Sequence, residues 1–236
     1  MQTNVNVLKK ITIAVDGHSS TGKSTLAKQL ANALGYVYVD TGAMYRAVAF
    51  YALQNGFINE NEFDVKGLIQ NLDQIYLKFV YNQELGFAEM FLNDVNVERQ
   101  IRSINVSKYV SKIAEVSEIR AALVKQQQKM GMSKGVVMDG RDIGTVVFPD
   151  AELKLFMTAS AEIRAQRRFD ELKAKGQEVS YDEVYQNVVE RDFIDTNRQD
   201  SPLIKANDAI ELDNSTLSKD EQYHIVYKLA IDKIQG

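Results

Sequence analysis

The sequence predicts an α/β protein with a parallel sheet held between two layers of helices. Two observations carry this. The apolar run Ile-Thr-Ile-Ala-Val-Asp at 11–16 has the length and composition of a buried strand, and at 17–24 it is followed by Gly-His-Ser-Ser-Thr-Gly-Lys-Ser, the pattern G-x-x-x-x-G-K-[ST]. From 23 to 34 the apolar residues switch to helical period, with Leu26, Leu30 and Leu34 at i, i+4 and i+8 and Ala27 and Ala31 beside them, until Gly35 stops the helix. A second strand at 36–40, Tyr-Val-Tyr-Val-Asp, completes a strand–helix–strand unit, which implies two parallel strands. Strand, glycine-rich loop and helix in this order give a P-loop type of three-layer fold.

The remaining elements follow along the chain. Residues 43–54 are rich in helix formers and are stopped by Gly56. Alternating runs at 75–80 and 87–92 flank Tyr81 to Gly86 and read as an antiparallel hairpin, inside an insert covering about 60–103 that interrupts the α/β rhythm. A long helix is expected over 105–130, ending at Gly131. Short apolar runs at 135–139 and 153–157 read as further buried strands. Charged helices at 161–174 and 180–197 are joined by Lys175 and Gly176, and a last strand at 209–213 leads into a closing helix at 218–234.

Composition sets limits. At 236 residues the chain suits a single domain over 1–236, and 45% apolar residues allow a sizeable core. A net charge of −4 argues against a general binder of nucleic-acid polymers, which rewards a basic surface. With no cysteine there is neither a disulfide framework nor a thiolate metal site, and a reducing cytoplasm is the expected location. Residues 1–10 lack the apolar core of a signal peptide, and no apolar run approaches the roughly 20 residues of a membrane span. No repeats or low-complexity segments are visible.

The glycine-rich loop carries chemistry. Gly17 and Gly22 permit tight turns that aim successive N–H groups at phosphate oxygens, and the start of the following helix adds a positive field. Lys23 can reach the β- and γ-phosphates, and the Ser24 hydroxyl can ligate Mg²⁺. A nucleoside triphosphate is therefore the expected ligand. Two more blocks begin at the carboxyl ends of strands: Asp-Thr-Gly-Ala-Met-Tyr-Arg at 40–46 and Asp-Gly-Arg-Asp-Ile-Gly-Thr-Val-Val at 139–147. In open parallel sheets ligands sit beyond those ends. Two arginines, Arg46 and Arg141, beside a triphosphate cradle point to a second phosphorylated ligand.

With Glu-Arg-Asp-x-x-x-Thr-Asn-Arg at 190–198, these blocks make the chain resemble the bacterial cytidylate (CMP/dCMP) kinases, members of the nucleoside monophosphate kinases, over most of 11–236. The resemblance implies a core over about 1–40, 104–160 and 199–236, a monophosphate-binding lobe at 41–103 with a small antiparallel insert, and a helical lid at 161–198. It implies ATP on Gly17, His18, Ser19, Ser20, Thr21, Gly22, Lys23, Ser24 and Thr25. It implies CMP or dCMP on Thr41, Tyr45, Arg46, Ser111, Arg120, Arg141, Asp142, Arg191, Asp195 and Arg198. Within that set Arg46 and Arg141 hold the monophosphate, Ser111, Arg120 and Asp142 read the cytosine edge, Arg191 and Asp195 meet the ribose, and Arg198 faces phosphate. A carboxylate suits the cytosine amino donor, and an arginine and a hydroxyl suit its acceptors. Ser111 and Arg120 lie nine apart, which on one long helix puts them on roughly one side.

Lys23, Arg141 and a lid arginine, Arg167, are the expected catalytic residues, with Mg²⁺ on Ser24 and Asp139. Arg164, Arg167 and Arg168 share one helical face, open to a lid role or to a solvated face paired with Glu162 and Glu171. Asp139 and Asp16 each read either as a carboxylate on metal-bound water or as an ordinary aspartate at a strand end. His18 stands where the family commonly has proline or another small residue, and reads as a loop imidazole beside the nucleotide. Other small acceptors (UMP, AMP, a sugar acid) and a nucleotide-dependent switch are the rival readings. No guanine-reading motif is visible, and a monomer is expected.

Overall fold

The computed structural model describes residues 9–236, so the first eight residues of the expected core, and most of the segment read for a leader, lie outside the described residues. Five strands form a parallel sheet in the order β2-β6-β1-β7-β8. They are β1 (Thr12–Gly17), β2 (Val37–Asp40), β6 (Val136–Gly140), β7 (Leu153–Thr158) and β8 (Ile210–Asp213). The central strand β1 is buried along its whole length, which is why its run is apolar instead of alternating. Ile13 and Val15 face a layer built from α1 (Lys23–Leu34) and α8 (Lys219–Gln235), through Leu26, Leu30, Val226 and Ala230. Ala14 faces the other side, with Val39, Val136 and Met138.

On that side α2 (Thr41–Gln54), α4 (Ile104–Glu115) and α5 (Ser117–Gly131) share the largest core, around Met44, Val48, Ile113 and Ile119. The insert lies against it: a short helix α3 (Val65–Gln70) and a three-stranded antiparallel sheet of β3 (Leu77–Asn82), β4 (Phe87–Leu92) and β5 (Val95–Asn96). The expected hairpin is present. Its third strand follows a tight turn in which Asn93 and Asp94 both take positive φ, 48° and 65°. Helices α6 (Ala161–Ala174) and α7 (Tyr181–Asn197) pack on each other, and α7 also lies along α4.

Two expectations need correction. Helix α2 begins at Thr41, not 43, because the Asp40 side chain accepts the Ala43 N–H at 2.9 Å and so caps it. The single helix expected over 105–130 is two helices, broken at Val116, whose φ of −76° and ψ of 112° are extended. No glycine or proline marks the break. The Arg120 guanidinium supports it by donating to the Ala114 carbonyl at 3.2 Å. Ser111 and Arg120 therefore stand on different helices, and the single-helix argument for their common side does not hold.

Candidate active site

The carboxyl ends of β2, β6 and β1 lie side by side, and each feeds one motif into a single cavity of about 1190 Å³. The loop after β1 folds tightly. Gly17 has a φ of 143°, and a Cβ there would meet the Met157 carbonyl at 2.1 Å. Gly22, at φ 92°, starts α1 without any side-chain cap, which leaves its first N–H groups available to an anion. Lys23 is buried; its Nζ donates to the His18 carbonyl at 2.5 Å and to Thr21 Oγ1 at 3.3 Å. Burial, helped by the nearby Arg141 guanidinium, lowers its pKa to about 7.

Across from Lys23, Asp139 stands one residue before the end of β6. Its Oδ2 accepts the Ser24 hydroxyl at 2.9 Å and its Oδ1 the Tyr38 hydroxyl at 2.8 Å. Burial and the neighbouring Asp40 push its pKa up. Thr41 Oγ1 donates to the Asp139 main-chain carbonyl at 2.7 Å, tying the second motif to the third. Asp16 is different. Its two oxygens accept the N–H groups of Ile143 and Gly144 at 2.8 and 2.7 Å, and it does not line the cavity. Of the two readings left open for it, the structure takes Asp16 away from metal-bound water.

The side of the cavity away from the phosphate loop is built on charge pairs. Arg46 donates to Asp40 Oδ2 at 2.8 Å, and Arg102 joins the same oxygen at 3.1 Å. Burial would raise the pKa of Asp40, but the two guanidiniums outweigh it and hold the carboxyl well below its usual range. Asp195 binds both Ser111 Oγ, at 3.0 Å, and Arg141 Nε, at 2.8 Å. Arg120 is fully buried, paired to Asp142, and lies 5.5 Å from the Tyr45 ring centre. Burial pushes the Tyr45 hydroxyl up to about 12. Arg198 donates to the Ser201 carbonyl at 2.8 Å. Arg191 reaches only the Ser107 hydroxyl, at 3.0 Å, while its buried Nε has no partner among the described residues. Burial and the facing Arg141 lower its pKa to about 9.

Of the residues expected at the site, all but Gly17, His18, Thr21 and Arg167 line the cavity. His18 instead faces Asp192, with Nδ1 3.2 Å from Oδ1. Arg167, expected in catalysis, turns to Asn214, donating to Oδ1 at 3.0 Å and to the main-chain oxygen at 2.9 Å. Arg164 is buried against Asp192 and the Ala159 carbonyl. The arginine of this face that lines the cavity is Arg168, bonded to Glu171 at 2.9 Å and to the Arg102 carbonyl at 2.8 Å. The sequence reading missed Arg102, Arg168 as the cavity-facing member, and Ser107, which holds Arg191 and itself donates to Asn187 Oδ1 at 2.9 Å. Arg168 was within reach of helical phase; Ser107 and Asn187 carry no pattern of their own.

A family model described as cytidylate kinase matches residues 13–232. A cytidylate kinase from Flavobacterium psychrophilum is 68% identical over 222 residues, covering 94% of this chain and 98% of the relative. Those of Flavobacterium johnsoniae and Phocaeicola vulgatus are 66% and 60% identical, covering 97% and 91% of this chain and 99% and 94% of theirs.

Proposed function

The chain belongs to the cytidylate kinase family, and we propose that it moves the γ-phosphoryl group of ATP to CMP or dCMP, giving ADP and CDP or dCDP, by direct in-line transfer. The observation that carries this reading is one cavity lined both by the phosphate loop, through Gly22, Lys23 and Ser24, and by Arg120 and Asp142. An arginine and a carboxylate, buried together, offer donors to the cytosine N3 and O2 and an acceptor to its amino group. Ser111 adds a hydroxyl at the same end. Arg46 and Arg141 take the monophosphate, and Arg198 flanks it. Asp195 bridges Ser111 and Arg141, which suits a carboxylate that meets the pentose between base and phosphate.

ATP lies on residues 17–25, with its phosphates against the N–H groups at the start of α1. Arg191 has no carboxylate partner among the described residues, so an oxygen of the acceptor completes its bonding. Arg168, facing the cavity from the lid, is the better candidate than Arg167 for the charge on the passing phosphoryl group. The Ser24 hydroxyl and Asp139 carboxylate, 2.9 Å apart beside Lys23, are the hard oxygen donors that suit Mg²⁺. Among the described residues no group of three or more His, Cys, Asp or Glu could hold an ion unaided, which fits a cation carried largely by the phosphates and water. Mg²⁺ would supply neutralisation of phosphate charge there.

Residues 41–103 form the acceptor lobe and 161–198 the lid in this reading, and lid closure excludes water. We read the protein as a monomer. No described helix is long and apolar enough to cross a membrane; we read the protein as cytoplasmic and without a polymeric nucleic-acid partner. Transfer from ATP bearing a chiral γ-thiophosphate tests the mechanism. A direct step inverts the configuration at phosphorus, and retention would mean a phosphoenzyme.

A further inference from the structure

Asp16 stands one residue before the glycine that opens the phosphate loop, on the central strand of the sheet. It is 5% exposed, and a buried carboxylate needs bonded partners. Its partners are two consecutive main-chain N–H groups, Ile143 on Oδ1 and Gly144 on Oδ2. These open the π-helical turn Ile143–Val147, whose first N–H groups have no carbonyl within the turn to bond. Arg141 and Asp142, the acceptor arginine and the base-reading carboxylate, come immediately before that turn.

Packing narrows the geometry further. A Cβ on Gly144 would lie 3.3 Å from Asp16 Oδ2 and 3.1 Å from Lys154 Cδ, so the turn sits directly on the strand. Burial pushes the pKa of Asp16 up to about 6, against the pull of the two N–H groups and of Lys23, with Asp142 adding to the rise. Each carboxylate oxygen is engaged by one main-chain N–H, and Asp16 does not line the cavity.

We propose that Asp16 is a positioning residue that fixes the acceptor-reading loop relative to the phosphate loop, and so sets the distance between the two reacting phosphates. The claim rests on the acceptor roles given to Arg141 and Asp142. Asp16 acts through the backbone of residues 143 and 144: displace it, and the Arg141 and Asp142 side chains move while the phosphate loop, held by its own glycines and by Lys23, keeps its shape.

Asp16→Asn tests this, because it keeps the shape and one acceptor oxygen but turns an NH₂ group against the second N–H. The KM for CMP should rise and kcat fall, each by about ten-fold, as small misplacements of reacting groups do. The Kd for ATP, titrated calorimetrically without acceptor, should stay within about two-fold. Gly144→Ala presses on the same contact from the other side and should give a weaker version of the same split. Hydrogen exchange needs no substrate: the Ile143 and Gly144 amides should be protected in the unaltered protein and lose protection selectively in Asp16→Asn. If CMP proves not to be the acceptor, that exchange result still decides the structural half of the claim. Folded Asp16→Asn with unaltered KM and kcat overturns the proposal, as do equal losses toward ATP and CMP, or unprotected amides in the unaltered protein. Should Asp16→Asn fail to fold, Gly144→Ala and the exchange of the unaltered protein decide.

Discussion

Lys23 holds its proton less firmly than a surface lysine does. Its ammonium rests on a carbonyl and a hydroxyl in a buried loop, with Arg141 nearby, and its pKa falls to about 7. Phosphate oxygens favour the charged form, so binding ATP raises that pKa and draws in a proton. The bound state then carries more protons than the free one, so ATP affinity should weaken as pH rises above 7. Calorimetry at pH 8 in two buffers of different ionisation enthalpy should report proton uptake, and Lys23→Met should abolish it. Asp142 makes a second prediction. It pairs with buried Arg120 and is read as the acceptor for the cytosine amino group. Asp142→Ala should lower CMP efficiency by roughly ten- to a hundred-fold, the loss of one charged hydrogen bond. UMP, with oxygen in place of the amino group, should lose less, so kinetics on both nucleotides should show a narrowed ratio. At this scale most of the site was legible, because its residues sit in contiguous blocks at 17–25, 40–46 and 139–142. What stayed hidden is bonding between distant segments. Asp195 spends its oxygens on Ser111 and Arg141, and Arg191 donates to Ser107, and no local spacing announces either.

Elements repeat the lesson with different causes. Strands β1, β2, β6 and β7 were readable because each is a short, mainly apolar run at a fixed place in the α/β rhythm, whereas β8, Ile-Glu-Leu-Asp, was readable from its alternation ahead of the closing helix. Helix α3 is six residues long, too short for a periodic signal. The break between α4 and α5 is a tertiary matter: Val116 extends, and Arg120 bonds a carbonyl at the end of the preceding helix. Helix α2 shows how one side chain can serve both element and site. Asp40 caps its start and also holds Arg46 and Arg102 in place. Removing a buried partner from such a cluster costs about 3–5 kcal/mol. Asp40→Ala should therefore lose roughly that much in denaturant unfolding and raise the KM for CMP as Arg46 loosens. The pH dependence has a definite sign. The carboxyl's folded pKa lies below its unfolded one, so its contribution is present above the ordinary carboxylate range and disappears as pH falls below about 4. Asp40→Asn should flatten the acid limb of the stability curve, and an unaltered limb would show that the cluster contributes little.

At the scale of the whole molecule, one sheet gathers the candidate site. The order β2-β6-β1 brings together three motifs that begin near residues 17, 40 and 139, and they line one cavity, read here as the place of both donor and acceptor. The antiparallel insert lines that cavity through Phe87 and Glu89, and the helical pair through Arg168 and Arg191. Lid closure over both ligands should also limit wasteful hydrolysis, so ADP release without acceptor should be far slower than with CMP. The central claim is that this cavity selects a cytosine monophosphate, and the ratio of kcat/KM values for CMP, dCMP, UMP and AMP, measured with ATP and Mg²⁺ in one coupled assay, tests it most directly. CMP or dCMP should exceed UMP and AMP by at least about a hundred-fold, as expected where buried polar groups are left unpaired by the wrong base. Turnover of UMP or AMP equal to that of CMP, or none with CMP, would contradict the account.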